Sequence, residues 1–177
     1  MNANSINERI LNSRIIFING EINKDLANNV IMELLLLDSI SNEDISLYIN
    51  SPGGSVQDGL AIIDTMNLIK SDVRTIAVGT AASMAAVILA CGSKGKRSAL
   101  PNASILLHQI MGGMQGQASD IEITYKHLIN IKNKLLKILS NVTGNNIKKL
   151  EADIDRDFWL DANESIKYGV IDTILGS

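Results

Sequence analysis

Four short runs of large or β-branched apolar residues recur with onsets near positions 14, 45, 73 and 104: Arg14-Ile-Ile-Phe-Ile-Asn19, Ile45-Ser-Leu-Tyr-Ile-Asn50, Val73-Arg-Thr-Ile-Ala-Val78 and Ser104-Ile-Leu-Leu107. Each predicts a short buried strand. Helical periodicity separates the first three. Leu26, Ala27, Val30, Ile31, Leu34 and Leu35 follow an Asn23 cap, and Leu60, Ile63 and Met66 recur in the next interval. A repeat of about thirty residues is the length of a βαβ unit with a right-handed crossover, so the units should stack into a parallel, spiral or layered α/β core.

At 177 residues, 46% of them hydrophobic, the chain can bury one sizeable core. No Pro/Ser-rich linker divides it, so one domain over residues 1–177 is expected, with a short N-terminal arm over 1–13. Residues 119–143 differ in kind. They open with Ser119-x-x-Glu122, a capping-box pattern, and end before Gly144. Such a helix would run roughly 37 Å, more than a small core needs. Ile121, Tyr125, Leu128, Leu135, Leu139 and Val142 step by fours and threes, with Lys132 as the one polar step, as in a helix-packing seam. The helix either lies on its own core or projects toward a second subunit. Beyond it come a short helix near 147–152 and a last one over 162–168, with Asp161 as N-cap, Glu164 at the third position and Gly169 as terminator.

Charge and composition narrow the partners. A net charge of −3 and only a four-residue basic cluster, Lys94-Gly-Lys-Arg97, give no field for a phosphate backbone, so nucleic acid is not expected. The one cysteine, Cys91, cannot form an internal disulfide, and its apolar neighbours predict a buried, inert thiol suited to a reducing cytoplasm. The N-terminus lacks the apolar core of a signal peptide. The most apolar run, residues 81–91, falls short of the ~20 residues a membrane helix needs, so neither export nor insertion is expected.

Three places could carry chemistry. Ser51-Pro52-Gly53-Gly54 follows the second strand, and adjacent glycines let a backbone bend sharply and present N–H groups to an oxyanion; the same four residues also make an ordinary turn. Ser83, in Gly79-Thr-Ala-Ala-Ser-Met-Ala-Ala86, sits where the third strand gives way to an Ala-rich helix, a position that suits a nucleophile and equally a helix cap. Of the two histidines, His127 lies beside Lys126 on the long helix and should face solvent. His108 ends the fourth strand, before the glycine-rich loop 112–116, where α/β proteins often place functional groups. Counting cannot select an acid among twelve aspartates, although Asp153, Asp155 and Asp157 crowd a region next to Phe158-Trp159-Leu160 that would partly bury a carboxylate. No clustered metal-ligand set, P-loop or Gly-x-Gly-x-x-Gly is present, so cofactor-free chemistry is expected.

Taken together, Tyr48-Ile-Asn-Ser-Pro-Gly-Gly54, Ala81-Ala-Ser-Met84, Lys94-Gly-Lys-Arg97, Leu100-Pro-Asn102, His108-Gln109, Gly116-Gln-Ala118 with Asp120-Ile-Glu122, and Tyr168-Gly169 stand in the order and approximate spacing of one family. Over about residues 9–175 the chain resembles the proteolytic subunit of the ATP-dependent Clp protease (ClpP). The resemblance implies a crotonase-like α/β spiral of βαβ units with residues 119–143 as a projecting handle helix. It also implies two stacked heptameric rings enclosing a degradation chamber. It assigns Ser83 as nucleophile, His108 as general base, Asp157 as acid, Gly54 and Met84 as oxyanion-hole donors, and Asp155 and Arg156 as a ring-contact pair. It implies no cofactor or metal in this chain, ATP being used by a partner Clp-family ATPase unfoldase, and unfolded polypeptides as substrates.

Several residues depart from the family pattern. Ala85 stands where Gly is usual and Ile110 where Pro is usual. The arm before Arg14 is short. Ser46 and Ser98 stand where aromatic residues often form the surface that receives the ATPase, which implies weak docking by this chain alone and help from a second, aromatic-rich paralogue. Two other readings remain at this stage: a weakly active or regulatory subunit of mixed rings, and an acyl-CoA hydratase or isomerase of the same superfamily, which would use an oxyanion hole without a serine nucleophile.

Overall fold

The computed structural model describes residues 3–113 and 115–176, with side chains from residue 6 onward; Met114, inside the predicted glycine-rich loop, lies outside the described residues along with Met1, Asn2 and Ser177. In chain order the elements are α1 (Ala3–Asn12), β1 (Ile15–Asn19), α2 (Lys24–Ile40), β2 (Ile45–Ser51), α3 (Val56–Leu68), β3 (Val73–Ala82) and α4 (Met84–Ala90). They continue with β4 (Arg97–Ala99), β5 (Ser104–Leu107), α5 (Ala118–Thr143), α6 (Ile147–Asp153), β6 (Phe158–Leu160), α7 (Ala162–Tyr168) and β7 (Thr173–Ile174). The result is a mixed α/β fold around a mostly parallel sheet.

The first three strands pair in parallel in the order β1-β2-β3, as the βαβ spacing predicts. Burial alternates along β1 and β2. In β2, Ile45, Leu47, Ile49 and Ser51 are buried, while Ser46 and Tyr48 are half-buried on the opposite face. Helices therefore cover one face of this part of the sheet, and Phe17 and Tyr48 stack on the other with ring centroids 5.5 Å apart.

β3 runs on to Ala82, well past the predicted end, and serves two neighbours. Its first half pairs β4 through Thr75–Ala77, and its second half pairs β5 through Thr80–Ala82. The sheet forks at Gly79, whose φ of +83° is open to glycine at little cost. On the outer branch β7 continues from β4. On the inner branch β6 adds antiparallel to β5, pairing Leu107 with Phe158. The wholly buried α4 sits against the fork.

The long helix α5 begins at Ala118 rather than through the Ser119 capping box, because Glu122 pairs with Lys126 one turn on and Gln117 makes no side-chain cap bond. It ends at Gly144 in the left-handed conformation, as expected. Only its C-terminal half is anchored, by buried Leu136 and Leu139, each contributing ~2 kcal/mol of apolar burial. Residues 118–127, including His127, are exposed throughout.

One expectation about the surface changes. Ser98 is only 3% exposed. Being held between β3 and β7, it donates its hydroxyl to the Thr75 carbonyl and cannot itself form part of an open docking face. The short basic cluster is largely paired within the fold: Lys96 is bound by Asp44 and Asp72, and Arg97 is buried against Asp172.

Candidate active site

Ser83 forms the turn between β3 and α4 with φ 54° and ψ −124°, one of two described non-glycine residues with positive φ. Such a conformation costs on the order of 1–3 kcal/mol and persists only where the surroundings enforce it. Here they do. The Ser83 N–H donates to the Leu106 carbonyl at 2.8 Å, and its own carbonyl accepts from Ala86 and Val87. Gly53 closes the turn from the other side: a β-carbon there would lie 2.6 Å from the Ala82 carbonyl oxygen and 2.7 Å from the Ser83 Cβ. Although Ser83 occupies the N-cap position, its hydroxyl makes no capping bond, so the cap reading of this serine does not describe the structure. A strained strand-to-helix turn with an uncommitted hydroxyl is how a nucleophile is presented.

Ser83 and His108 line one cleft of about 350 Å³, together with Pro52, Gly53, Gly54 and Met84. Among the described residues the N–H groups of Gly54 and Met84 are unclaimed, for structural reasons. The bridge between Ile22 and Gly54 is made by the Ile22 N–H on the Gly53 carbonyl and the Ser55 N–H on the Ile22 carbonyl, which passes over the Gly54 N–H. Met84 is the first residue of α4, where an N–H has no intrahelical partner. Both residues line the cleft with the serine.

His108 is carried to the cleft by the end of β5. Its Nδ1 stands 2.6 Å from the Gln109 carbonyl oxygen. Gln109 is itself pinned: its N–H donates to the Ile154 carbonyl at 2.7 Å and its side-chain amide to the Asp155 carbonyl at 2.9 Å. Among the described residues neither ring nitrogen bonds the Ser83 hydroxyl. Asp157, one residue before β6, does not line the cleft, and its side chain is exposed rather than partly buried. The half-buried carboxylate of that region is Asp153, held by the Tyr168 hydroxyl and Lys149, which keep its pKa below the ordinary value against the smaller opposing effect of burial. Asp155 and Arg156 approach each other to 3.8 Å with their side chains open to solvent.

Sequence reasoning missed the Gln109 carbonyl and most of the cleft wall. Val56 of α3, Val87 of α4, Leu136 of α5 and Ile154 just past α6 converge in a way that no local pattern announces. Glu21 and Lys132 add opposite charges to the lining. Elsewhere, Cys91 is half-buried rather than fully buried as expected, yet burial still pushes its thiol up to about 12, so it stays protonated. Among the described residues no group of three His, Cys, Asp or Glu side chains could hold a metal ion, and no helix is long and apolar enough to cross a membrane.

A strained serine, a histidine and two unclaimed backbone donors in one cleft of an α/β fold define the class of serine hydrolases. Comparison with known proteins narrows this. A sequence profile described as Clp protease matches residues 1–177. The chain is 54% identical over 168 residues to the ATP-dependent Clp protease proteolytic subunit 2 of Bacillus licheniformis, an alignment covering 94% of this chain and 88% of that protein. The chain belongs to the Clp protease family.

Proposed function

We infer that the chain is a serine endopeptidase subunit that hydrolyses peptide bonds of unfolded proteins inside an oligomeric chamber. One observation carries the chemistry: Ser83, uncapped and held at positive φ, shares its cleft with His108 and with the Gly54 and Met84 N–H groups. In the proposed mechanism His108 removes the Ser83 proton and the oxygen attacks a peptide carbonyl. The two N–H groups stabilise the tetrahedral oxyanion, and water then releases the acyl-enzyme. Asp157 orients the imidazole, which requires His108 Nδ1 to exchange the Gln109 carbonyl for the carboxylate. An extended substrate pairs along Ser51–Gly54 by backbone hydrogen bonds, a mode tolerant of sequence.

The assembly follows the same reading. Residues 1–177 form one crotonase-like domain. Two heptameric rings stack through α5, whose exposed first half suits a handle, and Asp155 with Arg156 couples ring contact to the neighbouring Asp157. A Clp-family ATPase delivers substrate in the cytoplasm and consumes the ATP, docking on the outer sheet face that bears Phe17 and Tyr48. This chain needs no cofactor of its own.

The test is labelling with a fluorophosphonate alongside turnover of a small peptide. Wild type should label at Ser83 and hydrolyse, and Ser83→Ala should do neither while assembling normally. Wild-type-like hydrolysis by Ser83→Ala would overturn the assignment, and a hydratase would leave Ser83 unlabelled.

A further inference from the structure

The wall of the cleft beside Ser83 is apolar over most of its extent, with Val56, Val87, Leu135 and Leu136, yet Lys132 also lines it. Lys132 precedes Leu135, Leu136 and Leu139 by three, four and seven residues on α5, so the ammonium and the aliphatic floor follow one another along one helix face. Leu136 and Leu139 are buried, and Lys132, one turn before Leu136, is half-buried. Lys132 Nζ donates to Glu151 Oε1 of α6 at 2.5 Å. The side chains of this pair keep 29% and 51% of their surface in water. A pair so exposed holds by at most about 1 kcal/mol, and an ammonium has further protons to donate without leaving Glu151.

We propose that Lys132 is a specificity-determining residue. At the substrate position whose carbonyl Ser83 attacks, it admits side chains with an aliphatic stem and an oxygen acceptor at the tip, glutamate and glutamine, beside the purely apolar ones. This rests on the peptidase reading. The side chain concerned leaves the carbon next to the attacked carbonyl and so enters the cavity that opens beside Ser83 and Met84. Its methylenes lie against the leucines and its terminal oxygen meets the ammonium. A lysine there brings a second ammonium to the first and is rejected.

The experiment uses assembled enzyme and fluorogenic peptides identical except for Leu, Glu or Lys at that position, with wild type, Lys132→Met and Glu151→Gln. The readout is the ratio of kcat/KM for the Glu peptide to that for the Leu peptide within each protein, which cancels any loss of folded or assembled material. Lys132→Met should lower the ratio about tenfold, the scale on which pockets discriminate. Glu151→Gln, which removes the competing carboxylate, should raise it. A brace that merely steadied α5 against α6 would leave both ratios where they were. An unchanged ratio in Lys132→Met, or a lowered one in Glu151→Gln, overturns the proposal while leaving the peptidase intact. A wild type that neither cleaves the Leu peptide nor labels at Ser83 overturns the peptidase reading, and this one with it.

Discussion

His108 and Asp157 leave the β5–β6 ladder on opposite strands immediately after its last pair, Leu107 with Phe158. Antiparallel register thus brings them to the same end of the ladder, but the ladder does not continue. The Gln109 N–H reaches the Ile154 carbonyl instead, and the intervening residues 155–157 bulge out to solvent. One imidazole proton therefore has two acceptors within the same few residues, a backbone carbonyl that holds it and a carboxylate that stands outside.

Replacing the carboxylate tells which acceptor serves turnover. Asp157→Asn should lower kcat on a small peptide by about a hundredfold or more, the imidazole losing the charge that orients it and stabilises its protonated form. Turnover within about twofold of wild type would mean that the Gln109 carbonyl does the orienting.

Gly53→Ala should disturb the proposed nucleophile from outside. The new methyl meets the Ala82 carbonyl and the Ser83 Cβ at a φ of +91° that alanine resists. A loss of about 2 kcal/mol in denaturant unfolding is expected, with slower fluorophosphonate labelling. Unchanged stability and labelling would show that the turn has slack.

Arg97 joins the ends of three helices. Its guanidinium donates to the carbonyls of Ala90, Val142 and Gly169 and pairs with the Asp172 carboxylate. Those bonds hold the Asp172 pKa below its ordinary value of 3.8. A depressed folded-state pKa stabilises above the ordinary value and stops doing so as pH falls through the folded one. Arg97→Met should therefore cost about 3 kcal/mol at pH 7. Its deficit against wild type should narrow below about pH 4. A deficit that does not change with pH would exclude Asp172 as its source.

Removing residues 119–126 of α5, or reversing charge with Arg156→Glu, should release single rings or smaller species, since both lie on exposed surface that the proposed ring contact would cover. Light scattering reads the mass, and an unchanged mass for both variants excludes that contact.

Phe17 is half-exposed and stacked on Tyr48 on the outer face where the ATPase is proposed to dock. Phe17→Ser should weaken ATPase binding by about 2 kcal/mol, roughly thirtyfold, while small peptides are cleaved as before. Equal titration curves would move the docking surface elsewhere.

The parts of this structure that were legible in the sequence are those with a local physical signature. β-branched runs marked β1, β2, β3 and β5, and Gly144 and Gly169 marked helix ends, because strand burial and left-handed caps restrict residue choice at the position itself. The three-residue strand β4, the equally short β6 and the two-residue β7 carry too little periodicity to be seen. Ser98 shows the complementary difficulty. Its residue type fits a surface, and only the pairing of β4 between β3 and β7 buries it. Ser83 and His108 were readable as candidates from strand ends and as a pair through the family pattern. The bond from His108 to the Gln109 carbonyl was not, since a main-chain oxygen has no identity in a sequence.

Among the described residues the Ser83 hydroxyl contributes no hydrogen bond to the fold; the turn is kept by main-chain bonds and by the closeness of Gly53. Folding therefore does not inspect the proposed nucleophile. A gene copy that drifted to alanine at this position would still yield a protomer of normal shape, able to join its active sisters and dilute them. Stability places no selection on the serine, so under the proposed mechanism only the cutting of peptide bonds would keep it in a lineage.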